Sequence, residues 1–140
     1  MNKEQIIIGQ KRIVVDKVRT SQLYSTYPKI GENCSCSDCA YFEKEVIKQD
    51  FPLFHLLQAL GVDLSRQPNI VPDGICCPGE INDRIIYYGY YKVVGSMEDN
   101  QETIECYNKE LGPYTSLTIQ RSKDQELVFE FYIEAENKEK

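Results

Sequence analysis

Three cysteines, Cys34, Cys36 and Cys39, fall within six residues in the stretch NCSCSDCAYF at 33–42. Thiolates this close in sequence are typical of zinc and iron–sulfur sites, because a short turn can aim several sulfurs at one point. The pair Cys36-x-x-Cys39 has the spacing of a metal knuckle. It also has the spacing of a dithiol at a helix N-terminus, where the helix dipole lowers the thiol pKa. A structural metal site, a redox or sensing site and separate reduced cysteines are therefore three open interpretations.

A tetrahedral metal site needs a fourth ligand, for which Cys76, Cys77, Cys106 and His55 are the candidates. Cys76 and Cys77 are adjacent and cannot form a second knuckle, but the glycines and prolines around them let the backbone bend toward a metal. Cys106 is better explained as a core residue, because it shares a predicted strand face with Ile104. Zinc is the metal we expect, since no single run supplies a complete iron–sulfur ligand set. The predicted metal ligands are Cys34, Cys36, Cys39, Cys76 and Cys77.

The sequence favours a non-enzymatic protein, and we predict no catalytic residue. The chain has a single histidine, His55, in the apolar stretch LFHLLQAL, where a histidine at the margin of the core is the simplest interpretation. A small hydrolase that uses His55 is a third possibility, but no nucleophile elbow, P-loop, dinucleotide fingerprint or HExxH motif supports it. A redox couple at Cys36 and Cys39 lacks a preceding βα unit of the thioredoxin type, and a third thiol nearby would scramble it.

A run of aromatic residues, Tyr87-Tyr88-Gly89-Tyr90-Tyr91, is the second unusual feature. On a strand, Tyr87 and Tyr91 share one face while Tyr88 and Tyr90 share the other. If one face packs under helices, the other presents Tyr88 and Tyr90 as a partner surface, and Gly89 allows close approach of another chain. A central strand covered on both faces would give the same pattern.

Composition excludes several classes of protein. The chain has 140 residues, enough for one domain with its own core, so a metal is not needed for folding. Its net charge is −6, which opposes binding to nucleic acid. It has no apolar run of about 20 residues, so we expect no membrane span, and no signal peptide is recognisable. We therefore expect a cytoplasmic protein, where thiols stay reduced.

The N-terminal half predicts a mixture of short elements. Isoleucines and valines over 5–19 predict a hairpin or two short strands, and 20–33 reads as a loop. Helices are predicted over 37–49 and 52–60, the second with Asp50 as its cap, Pro52 in its first turn and Gly61 at its exit. The segment 61–84, rich in proline and glycine, predicts a long irregular connection.

From residue 85 the hydrophobic period changes to two, which predicts strands. Four successive strands are expected in RIIYYGYYKVVG, ETIEC, YTSLTIQ and ELVFEFYIE, with turns between them. The prediction is one α+β domain over 1–140, with a C-terminal antiparallel meander of about four strands packed against two short helices and a frayed tail at about 135–140.

Part of this pattern resembles a group of small uncharacterised bacterial proteins. The resemblance covers 33–95, indicates a bacterial source, and implies no activity, cofactor or catalytic residue. Its motifs are CxCxxCxxF from Cys34 to Phe42, LGVD from Leu60 to Asp63, and an aromatic–Gly–aromatic strand that ends at Gly95.

The predicted function is that of a cytosolic binding or interaction module with a Cys-based structural metal site, its partner being another protein or a second copy of the chain. The alternative is a thiol redox or redox-sensing protein that uses Cys34, Cys36 and Cys39. No nucleic-acid or membrane partner is expected.

Overall fold

The structure is a computed structural model that describes most of the chain. For residues 3, 8, 11, 33, 38, 76–81 and 103–107, the structure describes the backbone but not the side chain. The described residues are 3–8, 11–33, 37–66, 76–81, 84–97, 103–107, 111, 115–122 and 125–136.

The chain begins with an antiparallel hairpin, β1 (Lys3–Ile8) and β2 (Lys11–Asp16), as the isoleucines and valines predicted. Strand then changes to helix without a loop, and α1 (Lys17–Ser25) begins where Asp16 caps it by accepting a hydrogen bond from the Arg19 backbone N–H at 3.0 Å. The prediction of strand to residue 19 and loop over 20–33 is therefore wrong.

Further helices follow, and the two predicted ones are present. They are α2 (Ile30–Asn33), α3 (Ser37–Lys44), a 3-10 turn (Val46–Lys48) and α4 (Pro52–Ala59). No helix among the described residues is long and apolar enough to cross a membrane.

The ends of α4 largely follow the sequence signals. Pro52 opens the helix and Gly61, with φ +96°, follows its end. Phe51, rather than Asp50, occupies the N-cap position, and the Asp50 carboxylate lies 2.7 Å from His55 instead.

The C-terminal part is a five-stranded antiparallel sheet in the spatial order β3-β4-β7-β6-β5. All four predicted strands are present, and β3 lies inside the segment that was predicted to be irregular. The strands are β3 (Cys76–Ile81), β4 (Arg84–Met97), β5 (Thr103–Tyr107), β6 (Thr115–Arg121) and β7 (Glu126–Glu136).

The order of the strands is that of a Greek key. Only β5, β6 and β7 form a meander; β4 pairs with β7 and not with β5, its successor in sequence. The predicted α+β class is confirmed. The predicted meander of about four strands is present as a meander of three strands. Strand β7 extends through Glu136, so Ala135 and Glu136 belong to the sheet, while the rest of the predicted tail lies outside the described residues.

One face of this sheet, the inner face, packs against the helices. Phe42 of α3 lies at its centre, with ring centroids 5.0 Å from Tyr87 of β4, 6.3 Å from Phe131 of β7 and 6.1 Å from Phe54 of α4. Tyr91 stacks on Phe131 at 5.6 Å. This aromatic cluster holds α3 and α4 against β4 and β7.

The long strand β4 borders two different strands along one edge. Its first part pairs with β3, and Gly95 to Met97 pair with β2. Between these stretches α1 supplies side-chain partners in place of a strand. The Val94 N–H donates to Oγ1 of Thr20 at 3.0 Å, and the Tyr24 hydroxyl both accepts from Lys92 N–H and donates to Lys92 C=O at 2.9 Å.

Candidate binding face and the cysteine residues

The other face of the sheet presents an accessible patch of aromatic and acidic side chains, which we call the outer face. At each end of the patch a side chain of β4 is buried: Ile86 is 8% exposed and Val94 is 7% exposed. The patch between them consists of Tyr88, Tyr90 and the partly buried Lys92 on β4 and Val128, Glu130, Tyr132 and Glu134 on β7.

Strand register sets the geometry of the outer face. Tyr88 lies directly opposite Tyr132, and Tyr90 lies directly opposite Glu130. Side chains at opposed positions of an antiparallel pair have Cβ atoms about 4.5–5.5 Å apart. The register therefore places a tyrosine pair next to a tyrosine–glutamate pair. Tyr88 is 45% exposed, whereas Tyr90 and Tyr132 are half-buried.

A hydrogen bond within the patch and an ion pair at its edge fix the positions of several polar side chains. The Tyr132 hydroxyl donates to Oε2 of Glu134 at 3.2 Å. Partial burial and then this carboxylate raise the pKa of Tyr132. At the neighbouring edge, Nζ of Lys92 lies 3.7 Å from Oε1 of Glu126. Burial, followed by the charges of Glu126 and Tyr90, raises the pKa of Tyr27 to about 12.

The tyrosine run divides between the two faces of β4. The structure places the predicted surface residues Tyr88 and Tyr90 on the outer face, and Tyr87 and Tyr91 are fully buried on the inner face. Glu130 and Tyr132 complete the same patch and were not predicted to belong to it. The alternation of ELVFEFYIE predicts their face, but only the pairing of β7 with β4 brings them beside the tyrosines.

The predicted metal ligands divide between described and undescribed residues. Cys39 lies on α3, is 5% exposed and belongs to the hydrophobic core. Cys34 and Cys36 lie outside the described residues. Cys76 and Cys77 begin β3, where the backbone alone is described. Helix α3 lies beside β3, so the fold brings the element that carries Cys39 close to the strand that carries the adjacent pair.

Metal-binding geometry is not formed among the described side chains. Within this part of the chain, no three residues of Cys, His, Asp and Glu come together to hold a metal ion. His55 and Asp50 form a surface pair, their side chains 68% and 92% exposed. Cys106 lies in β5 opposite Leu117, and the structure describes its backbone only.

A polar cleft of about 580 Å³ lies between α1 and the segment that follows α4. Its charged residues, Asp63 and Arg66, form a 3.4 Å ion pair. Burial opposes ionisation of Asp63, but hydrogen bonds from Ser65 and the nearby cations Lys29 and Arg66 lower its pKa. Arg66 also donates to the Tyr27 carbonyl at 2.7 Å. These contacts join the segment that follows α4 to the segment that follows α1.

Comparison of the chain with models of protein families, with curated proteins and with solved structures finds no match. The resemblance to a group of bacterial proteins therefore stays a prediction, and the proposals below rest on the geometry of this molecule.

Proposed function

We propose that this protein is a non-enzymatic interaction module that binds another protein through the outer face. One observation carries the proposal. Three tyrosines, Tyr88, Tyr90 and Tyr132, lie together on an accessible sheet face, and Tyr88 alone is 45% exposed. Tyrosine is enriched at protein interfaces because its ring buries a large area while its hydroxyl keeps a polar contact.

The scaffold under the outer face is suited to binding without rearrangement. Strands β4 and β7 pair without a break from Arg84 to Val94. Beneath them, Tyr87, Tyr91, Phe129 and Phe131 are at most 3% exposed. Surface side chains on such a platform lose little freedom on binding, which favours affinity.

The proposal is tested by quantitative affinity capture with the wild-type chain and with Tyr88→Ser combined with Tyr132→Ser. We expect a protein retained by the wild type to be lost from the double variant, and purified partner and module to show the same loss in a binding titration. Val18→Ser is the matched control, because Val18 on α1 is 42% exposed and lies off the sheet. Equal binding by the wild type and the double variant would contradict the proposal.

A Cys-based structural metal site is a second candidate feature, favoured by the position of α3 beside β3. Zinc held by Cys34, Cys36, Cys39 and one of Cys76 and Cys77 would fix the helix to the strand. The redox alternative is less well supported at Cys39, because this side chain is 5% exposed in the hydrophobic core and a reactant has little access to it.

The metal content of untagged protein, purified anaerobically, distinguishes these possibilities. About one zinc ion per chain, with thiols that react only after a chelator is added, is the expected result for the metal site. Cys36→Ser should then lose the metal, while Cys106→Ser, the control, should keep it. Metal-free protein with a thiol that alkylates well below about pH 8 would instead favour the redox function.

A further inference from the structure

We infer that the outer face accepts a protein segment that carries lysine and arginine side chains. This inference rests on the proposed function and adds the chemistry of the partner. Glu130 is the central residue. It is exposed, lies opposite Tyr90, and is two residues from Tyr132 along the same side of β7. A cation above Glu130 would meet a carboxylate and aromatic rings together.

The charges on this part of the sheet favour a cationic partner. Glu130 and Glu134 both lie within the patch. The nearest lysine of β4, Lys92, is directed to Glu126 at 3.7 Å. Arg84, at the end of β4, donates to the backbone C=O of Glu134 at 3.4 Å. The chain as a whole carries a net charge of −6, so the surrounding field has the same sign as the patch.

The same charges argue against the other occupants. A second copy bound face to face would bring a second set of these carboxylates into the same interface, which like-charge repulsion disfavours. A phosphate backbone would meet the same carboxylates. A basic segment gains from the carboxylates through attraction and from the tyrosines through cation–π contact.

Three synthetic peptides of about nine residues, roughly the length of a strand, test the inference. They alternate threonine with lysine, glutamine or glutamate, and binding is measured by fluorescence anisotropy. We expect the lysine peptide to bind tightest, with affinity that falls as salt rises. Glu130→Gln should weaken that binding roughly fivefold, the scale of one exposed ion pair with a cation–π contact.

Glu45→Gln is the matched control, because it removes the same charge from an exposed residue at the end of α3. Circular dichroism confirms that both variants are folded. Equal weakening by the two variants would show attraction by net charge alone and would overturn the inference, as would failure of the lysine peptide to bind.

Two further outcomes separate this inference from the proposed function. Binding of the glutamine peptide as tightly as the lysine peptide, with loss in Tyr88→Ser, would retain the binding face but overturn its preference for cations. Self-association of the wild type in sedimentation equilibrium, abolished by Tyr88→Ser, would likewise retain the face and assign it to a second copy.

Discussion

At the scale of single residues, tyrosines of one short run have different environments because of where the backbone places them. Tyr91 is fully buried and its hydroxyl donates to the Leu64 carbonyl at 2.7 Å, whereas Tyr88, three residues earlier, is 45% exposed. Burial raises the pKa of Tyr24 and Tyr91 well above the usual value, and raises that of Tyr27 to about 12. Each of these tyrosines therefore ionises at a lower pH in the unfolded chain than in the folded protein, so its ionisation lowers the stability of the folded state.

We expect the free energy of unfolding to fall as pH rises above 10, the ordinary tyrosine pKa, and to keep falling toward about 12. The sign follows because the folded-state pKa values are raised, so the unfolded chain releases these protons first. Chemical denaturation at a series of pH values measures the slope, and tyrosinate absorbance follows ionisation. Tyr27→Phe removes one of these groups and should make the fall shallower. Unfolding free energies that stay constant over this range would contradict the prediction.

Two glycines in the motifs of the resemblance have structural explanations. Gly61, in LGVD, has φ +96°, and a Cβ there would lie 2.6 Å from the Lys17 carbonyl oxygen. Gly95, which ends the tyrosine strand, lies against β2 so closely that a Cβ would overlap the Val14 carbonyl oxygen. Asp63 of LGVD accepts hydrogen bonds from the Ser65 N–H and hydroxyl. Backbone geometry therefore explains the two glycines, and local hydrogen bonds explain Asp63.

At the scale of elements, α1 completes the edge of β4. The Oγ1 atom of Thr20 accepts from Val94 N–H at 3.0 Å and donates to the Asp16 carbonyl at 2.8 Å, and Thr20 is fully buried. A buried N–H that loses its acceptor costs about 1–3 kcal/mol. The helix therefore protects the strand edge through specific hydrogen bonds as well as through packing.

Thr20→Val keeps the shape of the side chain and removes the hydroxyl. We expect a loss of about 1–3 kcal/mol in the free energy of unfolding, and faster hydrogen exchange at the Val94 amide.

Thr26→Val is the matched control, since its hydroxyl also donates to a backbone carbonyl but lies on the surface at the end of α1. We expect its effect to stay within about 0.5 kcal/mol. The same loss in both variants, or unchanged exchange at Val94, would show that Thr20 does not hold this edge.

Sequence patterns predicted the elements unequally, for physical reasons. Strands β4 to β7 and helices α3 and α4 have clear hydrophobic periods, so they were predicted. Helix α1 has the sequence KVRTSQLYS, which follows a β-branched run and has no apolar stripe, so it was taken as strand and loop. Strand β3 contains Pro78 and Gly79, which disfavour strand, and its backbone is organised by pairing with β4.

At the scale of the whole molecule, the strand order decides which surfaces exist. A meander would have placed β5 beside β4. The Greek key places β7 there instead, so Tyr88 pairs with Tyr132 and Tyr90 with Glu130. The same order puts Phe131 and Tyr91 into one stacked pair under the helices. The residues of the outer face and of the core thus both depend on the pairing of β4 with β7.

The sequence by itself determined the α+β class, most of the strands, both predicted helices and the division of Tyr87 to Tyr91 between the two faces of a strand, because these follow from local periodicity. Only the tertiary structure decided that α1 closes the edge of β4, that α3 lies beside β3, and that β7 is the neighbour of β4. Those contacts join residues far apart in sequence, such as Tyr24 and Lys92 or Tyr88 and Tyr132. Such pairings depend on the packing of the whole chain, and no local pattern encodes them.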